Sequence, residues 1–266
     1  MSGGETYFDH IPKDISNYLY NFIYGGITND ITNGLKEIFG EHYRTFTEII
    51  RGLGVISGSF VLKKIDKTAN WDSKDIDIFM PGRPSRVLEN FLVNDLNFTM
   101  NGNGPTRYHR DCRWVFNGSV YKFTKGKIYI DVIYLHQKYG TFKDSCNFIR
   151  ENFDFNICKN MFYYYPIGQS FPDSKRYNEN LEITDYNAIL NKEIKIELPE
   201  KRLDPNRIKK YAKRGYTFVE SNNDSLIKII NEGKHRDLKQ ALTKKRDTSR
   251  TISTTDWVIK MGITIY

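Results

Sequence analysis

The chain has 266 residues, 39% of them hydrophobic and 27% charged, which suits one large globular domain or two modest ones around a shared core. No apolar run is long enough to span a bilayer, and Met1-Ser2-Gly3-Gly4-Glu5 does not open a basic-then-apolar leader, so neither a membrane partner nor secretion is expected. The formal net charge of +8 is concentrated at one end: residues 201–266 hold 16 Lys/Arg against 7 Asp/Glu, whereas residues 1–200 hold 24 against 25.

Residues 8–51 read as helical, with Ile15, Tyr18, Leu19, Phe22 and Ile23 recurring at spacings of three and four. A second such pattern runs through Leu35, Ile38 and Phe39 to Phe46, Ile49 and Ile50, with Gly25-Gly26 and Gly40 as punctuation. This lead-in is expected to cover one face of a sheet. Residues 54–57 predict a short strand running into a turn at Gly58, and residues 60–65 a helix or crossover. Residues 74–80 alternate polar and apolar as a half-buried strand does, and Pro81-Gly82 stops them. Ser85 is the expected N-cap of a helix presenting Val87, Leu88, Phe91, Leu92 and Leu96.

Residues 101–105 read as a loop. A hairpin is expected about Asn117-Gly118, joining residues 113–116 to 119–123. A second turn at Lys125-Gly126 leads into residues 128–135, an apolar strand with one acid, Asp131, in its middle. Residues 154–165 look strand-like. Asp204 as cap, Pro205 in the first turn and Gly215 at the end frame a helix, followed by a short strand at 216–219 and a basic helix over 225–246.

The three cysteines, Cys112, Cys146 and Cys158, are far apart and have no zinc spacing. They read as thiols in a reducing compartment, which points to the cytoplasm. The five histidines form no metal-binding spacing.

The chemistry is expected to sit between residues 58 and 131. Asp75 and Asp77 are two apart on a strand, so both carboxylates share one face. Two carboxylates this close call for a cation, and Mg²⁺ prefers one or two carboxylates together with phosphate oxygens. Asp131 sits in a strand otherwise suited to burial, where an isolated charge is costly, and no other partner for it is obvious. Convergence of the three acids would give a two-metal site for phosphoryl displacement. Gly58-Ser59 supplies a phosphate end, because glycine allows close backbone approach and the serine hydroxyl and nearby N–H groups donate to oxygens.

In these residues the chain resembles the DNA polymerase β-like nucleotidyltransferase superfamily, whose pattern is a Gly-Ser turn, a hydrophobic-flanked Asp-x-Asp and a third acid on a later strand. The wording of residues 57–62 and 71–79 is similar to nucleotidyltransferase-like proteins of large DNA viruses, as are residues 154–158 and 207–218. The resemblance implies an α+β fold: a small mixed β-sheet core packed on helices, with a more helical C-terminal lobe. The expected organisation is a helical lead-in at 1–50, a catalytic core at 51–165 and a basic lobe at 166–266, with the nucleotide in the cleft between lobes.

The implied activity is metal-dependent transfer of a nucleoside monophosphate from an NTP to a hydroxyl acceptor, with release of pyrophosphate. Asp75 and Asp77 would bind both Mg²⁺ (or Mn²⁺) ions. Asp131 would bind the catalytic metal and activate the acceptor, and Gly58 and Ser59 would hold the β- and γ-phosphates. Lys209, Lys210, Lys213 and Arg214, near Tyr211 and Tyr216, are candidate phosphate or nucleic-acid contacts. Nucleic acid is the favoured acceptor; a protein or small molecule stays open. If the source is viral, the site of action is the host cytoplasm. The alternative is an inactive nucleotidyltransferase fold serving as a nucleic-acid-binding or scaffold protein. A glycosyltransferase would need neither the Gly-Ser turn nor the third acid.

Overall fold

The computed structural model describes residues 13–73, 75–82, 86–105, 118–135, 140–165, 179–197, 203–220 and 224–232. These fall into two compact units, one within Met1–Glu151 and Cys158–Thr184, the other within Asn152–Ile157 and Asp185–Tyr266. The fold is α+β, with a mixed sheet and helices.

The first unit begins with α1 (Lys13–Phe39) and α2 (Tyr43–Ile50), separated by a single 3₁₀ turn at Gly40–His42. The helix runs unbroken through Gly25-Gly26, which does not act as the break its composition predicts. Both glycines are exposed and a β-carbon at either would meet nothing within 4 Å, so they cost only about 1 kcal/mol each in helix propensity. Ile31 and Leu35 of α1 and Phe46 and Ile50 of α2 are fully buried, and Phe39 stacks on Phe46.

The strands that follow are β1 (Val55–Ser57), β2 (Asp75–Met80), β3 (Thr99–Pro105), β4 (Ser119–Lys125), β5 (Ile128–Tyr134), β6 (Met161–Tyr164) and β7 (Glu179–Glu182). They form one seven-stranded sheet in the order β3-β4-β5-β2-β1-β6-β7. Only β2 and β5 pair in parallel; the other neighbours are antiparallel. Helix α3 (Ser59–Ile65) follows β1 directly, α4 (Val87–Asn90) continues into a π-helical turn at Phe91–Asp95, and α5 (Phe142–Asn152) follows β5.

Alternation sorts the central strands. Ile76, Ile78 and Met80 share one face with Ile130, Val132 and Tyr134, and all six are buried. Each such side chain contributes about 1.5–3 kcal/mol on burial. The opposite face carries Asp75, Asp77 and Phe79. Its far end is covered, with Phe79 buried beside Phe148 of α5, and its acidic end is only half-buried.

Three further expectations need correction. Residues 101–105 are not a loop: they belong to edge strand β3, whose register with β4 shifts between Met100 and Asn103. An irregular edge strand carries no apolar alternation to be read. Residues 154–165 are not one strand, because a 3₁₀ turn at Asn156–Cys158 precedes β6. Helix α5 is not among the elements expected from the sequence. Its start is a reciprocal cap: the Asp144 N–H donates to Thr141 Oγ1, and the Thr141 hydroxyl and N–H donate to Asp144 Oδ2. Lys74, Ser85 and the strand expected at 113–116 with its turn residue Asn117 lie outside the described residues, as does the basic helix beyond residue 232.

The second unit contains α6 (Tyr186–Leu190), β8 (Glu193–Lys195), α7 (Pro205–Lys213), β9 (Thr217–Glu220) and α8 (Asp224–Asn231), with β8 and β9 parallel. Helix α7 starts as its sequence predicts: Asp204 accepts from the Asn206 N–H, and Pro205 fills the first turn. Phe155 packs edge-on against Tyr211 and Phe218, both at 5.4 Å between ring centres, with Ile194, Leu203 and Ile208 buried. Among the described residues, no helix is long and apolar enough to cross a membrane.

Candidate active site

Strand register builds the site. In the parallel β2–β5 pair Asp77 lies directly beside Asp131, and Asp75 beside Tyr129. In the antiparallel β1–β2 pair Asp77 faces Ser57. In the β4–β5 hairpin Asp131 faces Lys122. Residues directly opposite in a sheet point to the same face, so Ser57, Asp77, Asp131 and Lys122 form one polar row across four strands. Asp75 stands on that face one step further along β2.

The turn after β1 closes one end of the row. Ser57 Oγ donates to the Asn160 carbonyl at 2.7 Å, tying β1 to the segment that enters β6. Gly58 has φ +78°, and a β-carbon there would lie 2.4 Å from Asp77 Oδ2. The turn therefore presses its backbone against the Asp77 carboxylate, an approach open only to glycine. Ser59 Oγ donates to Asp75 Oδ1 and also lies beside Ser73 Oγ, both at 3.3 Å. Gly58 touches one acid of the pair and Ser59 the other.

At the opposite end, Lys122 Nζ is 3.0 Å from Asp131 Oδ2. This corrects the expectation that Asp131 lacks a partner other than the two acids. Burial raises the Asp131 carboxyl above its ordinary range; Lys122 opposes this, and the negative charge of Asp75 adds to it. Sequence reasoning missed Lys122, yet its signal was present. A two-residue turn at Gly126-Lys127 makes Lys125 and Ile128 the closing pair, and counting back three from one and forward three from the other places Lys122 opposite Asp131.

Among the described residues no three His, Cys, Asp or Glu side chains are gathered so as to hold a metal ion as they stand. The donor set nevertheless suits a hard divalent cation. It offers three carboxylates on one face of two adjacent parallel strands, with Asp75 and Asp77 half-open to solvent.

Lys209, Lys210, Lys213 and Arg214 belong to the second unit, on α7 and just after it. Lys209 and Lys213 are exposed. The Arg214 guanidinium lies 5.2 Å from the Tyr211 ring centre, and Lys192 Nζ is 5.0 Å from that of Tyr216.

No family model and no curated protein sequence matches the chain. Among solved structures it is similar to a CCA-adding enzyme in complex with CTP, with a TM-score of 0.46 and 14% identity, over 80% of this chain and 49% of that one. The chain thus spans about half the length of that structure.

Proposed function

We propose that the chain is a nucleotidyltransferase of the polymerase β-like type, moving a nucleoside monophosphate from an NTP to a hydroxyl acceptor with release of pyrophosphate. The observation that carries this reading is the side-by-side register of Asp77 and Asp131, with Gly58 packed against the first of them. Mg²⁺ or Mn²⁺ held by Asp75 and Asp77, and joined by Asp131, would neutralise the triphosphate and stabilise charge in the phosphoryl transfer.

The chain's own residues then divide the work. Gly58 leaves the turn open to the β- and γ-phosphates, and Ser59 turns its hydroxyl from Asp75 to donate to them. Asp131 sits nearest the acceptor and takes a hydrogen bond from its hydroxyl, aligning that oxygen for attack. The acceptor is a nucleic acid, on the strength of the basic character of residues 201–266. Lys209, Lys210, Lys213 and Arg214 supply phosphate contacts.

A second reading has its own support. The Lys122–Asp131 pair fills part of the cation's place with an ammonium, as suits a fold that binds nucleic acid without turnover. Incubation of the full chain with each labelled NTP, RNA, DNA and protein acceptors, and Mg²⁺ or Mn²⁺ separates the two. The first reading expects pyrophosphate release that Asp77→Asn abolishes while melting is unchanged. Absence of release with every NTP and acceptor, or release unaffected in Asp77→Asn, sinks it.

A further inference from the structure

Lys122 is the charged residue of the polar row that the proposed chemistry leaves unused. We propose that Lys122 is the resident counter-ion of the site and competes with the divalent cation for Asp131, so that each weakens the other's hold there. This rests on the reading of Asp75, Asp77 and Asp131 as a metal site.

Three observations carry it. Hairpin register fixes Lys122 directly opposite Asp131, so the contact follows from the backbone rather than from a chance reach of a long side chain. The two partners differ in freedom: the Lys122 side chain is 58% exposed and that of Asp131 only 9%. The ammonium, on its flexible stem, can yield its place to an incoming cation that takes over the carboxylate's charge, whereas the carboxylate stays in the row. Finally, the ammonium already engages Asp131 Oδ2 at 3.0 Å, one of the two oxygens that this carboxylate can offer a metal. A divalent ion on the Asp131 carboxylate and an ammonium beside it repel each other, so each occupancy weakens the other. With Lys122 in place the acids keep a positive neighbour when no nucleotide is bound, and the metal's affinity is held down until a triphosphate brings its own negative charge.

The test is direct binding of Mn²⁺ to the full chain without nucleotide, read by the electron paramagnetic resonance signal of free Mn²⁺. Lys122→Gln keeps most of the length and a donor but removes the charge, and is expected to bind Mn²⁺ about tenfold more tightly than wild type. Lys122→Arg grips a carboxylate with a two-pronged fork, and is expected to bind Mn²⁺ more weakly than wild type. The two variants predict opposite signs, so either one, once folded, decides the matter. Unchanged or weaker binding in Lys122→Gln, or unchanged or tighter binding in Lys122→Arg, overturns the proposal. Asp77→Asn serves as the control: if it binds Mn²⁺ as wild type does, the metal-site reading itself fails, whereas loss of binding there with no effect at Lys122 rejects only the competition.

Discussion

Gly58 approaches Asp77 more closely than any residue with a β-carbon could at position 58: that β-carbon would lie 2.4 Å from Asp77 Oδ2, at a backbone φ of +78°. Gly58→Ala therefore pushes the carboxylate aside and places a side chain in a conformation that costs roughly 1–2 kcal/mol. The clash is with the end of a side chain and not with backbone, so the chain should still fold, with melting lowered by a few degrees. Turnover should fall on the order of 100-fold, since about an ångström of misplacement suffices for that. Thermal unfolding and pyrophosphate release on the same sample check both halves, and an unchanged rate in Gly58→Ala would remove Gly58 from the site.

Glu179 offers a pH test remote from the acids. Burial raises its carboxyl above the ordinary range, against the opposing pull of Lys36 and of the Tyr43 hydroxyl, which is 3.5 Å from Glu179 Oε1. A carboxyl raised in the folded state favours folding while protonated. That contribution is complete below the unfolded value of about 4.3 and is lost as pH rises through the folded one. Glu179→Gln should thus melt higher than wild type at pH 7, and the gap should close toward pH 4. A lower melting point for Glu179→Gln at pH 7 would mean that the charged hydrogen bond outweighs burial.

Lys209 and Lys213 are four residues apart on α7 and both are exposed, while Ile208 and Tyr211 of the same helix are buried. They share an outward face, so changing both to glutamine should leave melting nearly unaltered. If they touch a single strand's phosphates, affinity for a single-stranded RNA should drop by at least tenfold at low salt. The log–log salt slope should become shallower by about 1.4 for two lost contacts. Equal slopes for the variant and wild type would mean that these lysines serve only solubility.

What could be read in the sequence was whatever local patterning decides. Asp75 to Met80 alternates because one face is buried and the other carries the acids, and Asp204, Pro205 and Gly215 bracket α7 by capping chemistry alone. What escaped depends on partners distant along the chain. Strand β3 takes its structure from pairing with β4, since Asn101, Gly102 and Asn103 have no strand preference of their own. Asp131 looked isolated because Lys122 is nine residues away, and only hairpin register brings them together. The cap of α5 was legible in principle, as Thr141-x-x-Asp144, but Lys143, Asp144, Ser145 and Asn147 leave only a weak apolar period to draw attention to it.

Arg207 and Asp154 carry the clearest stability prediction. Arg207 Nε and Nη2 donate to the two oxygens of Asp154 at 2.6 and 2.8 Å, a fork-on-carboxylate pair. The Asp154 side chain is 8% exposed and that of Arg207 25%, and the guanidinium also lies 5.8 Å from the ring centres of Phe155 and Tyr211. Arg207→Ala would strand a buried carboxylate and strip one wall from the aromatic cluster, at a cost of about 3–5 kcal/mol. Arg207→Lys should recover only part of this, because an ammonium cannot bond both oxygens at once in the same plane or stack on the rings. Arg207→Met combined with Asp154→Asn removes both charges and keeps volume, and should be considerably more stable than Arg207→Ala. Urea unfolding followed by circular dichroism ranks the variants. If Arg207→Ala and the double variant unfold at the same urea concentration, an uncompensated charge on Asp154 is not the source of the lost stability.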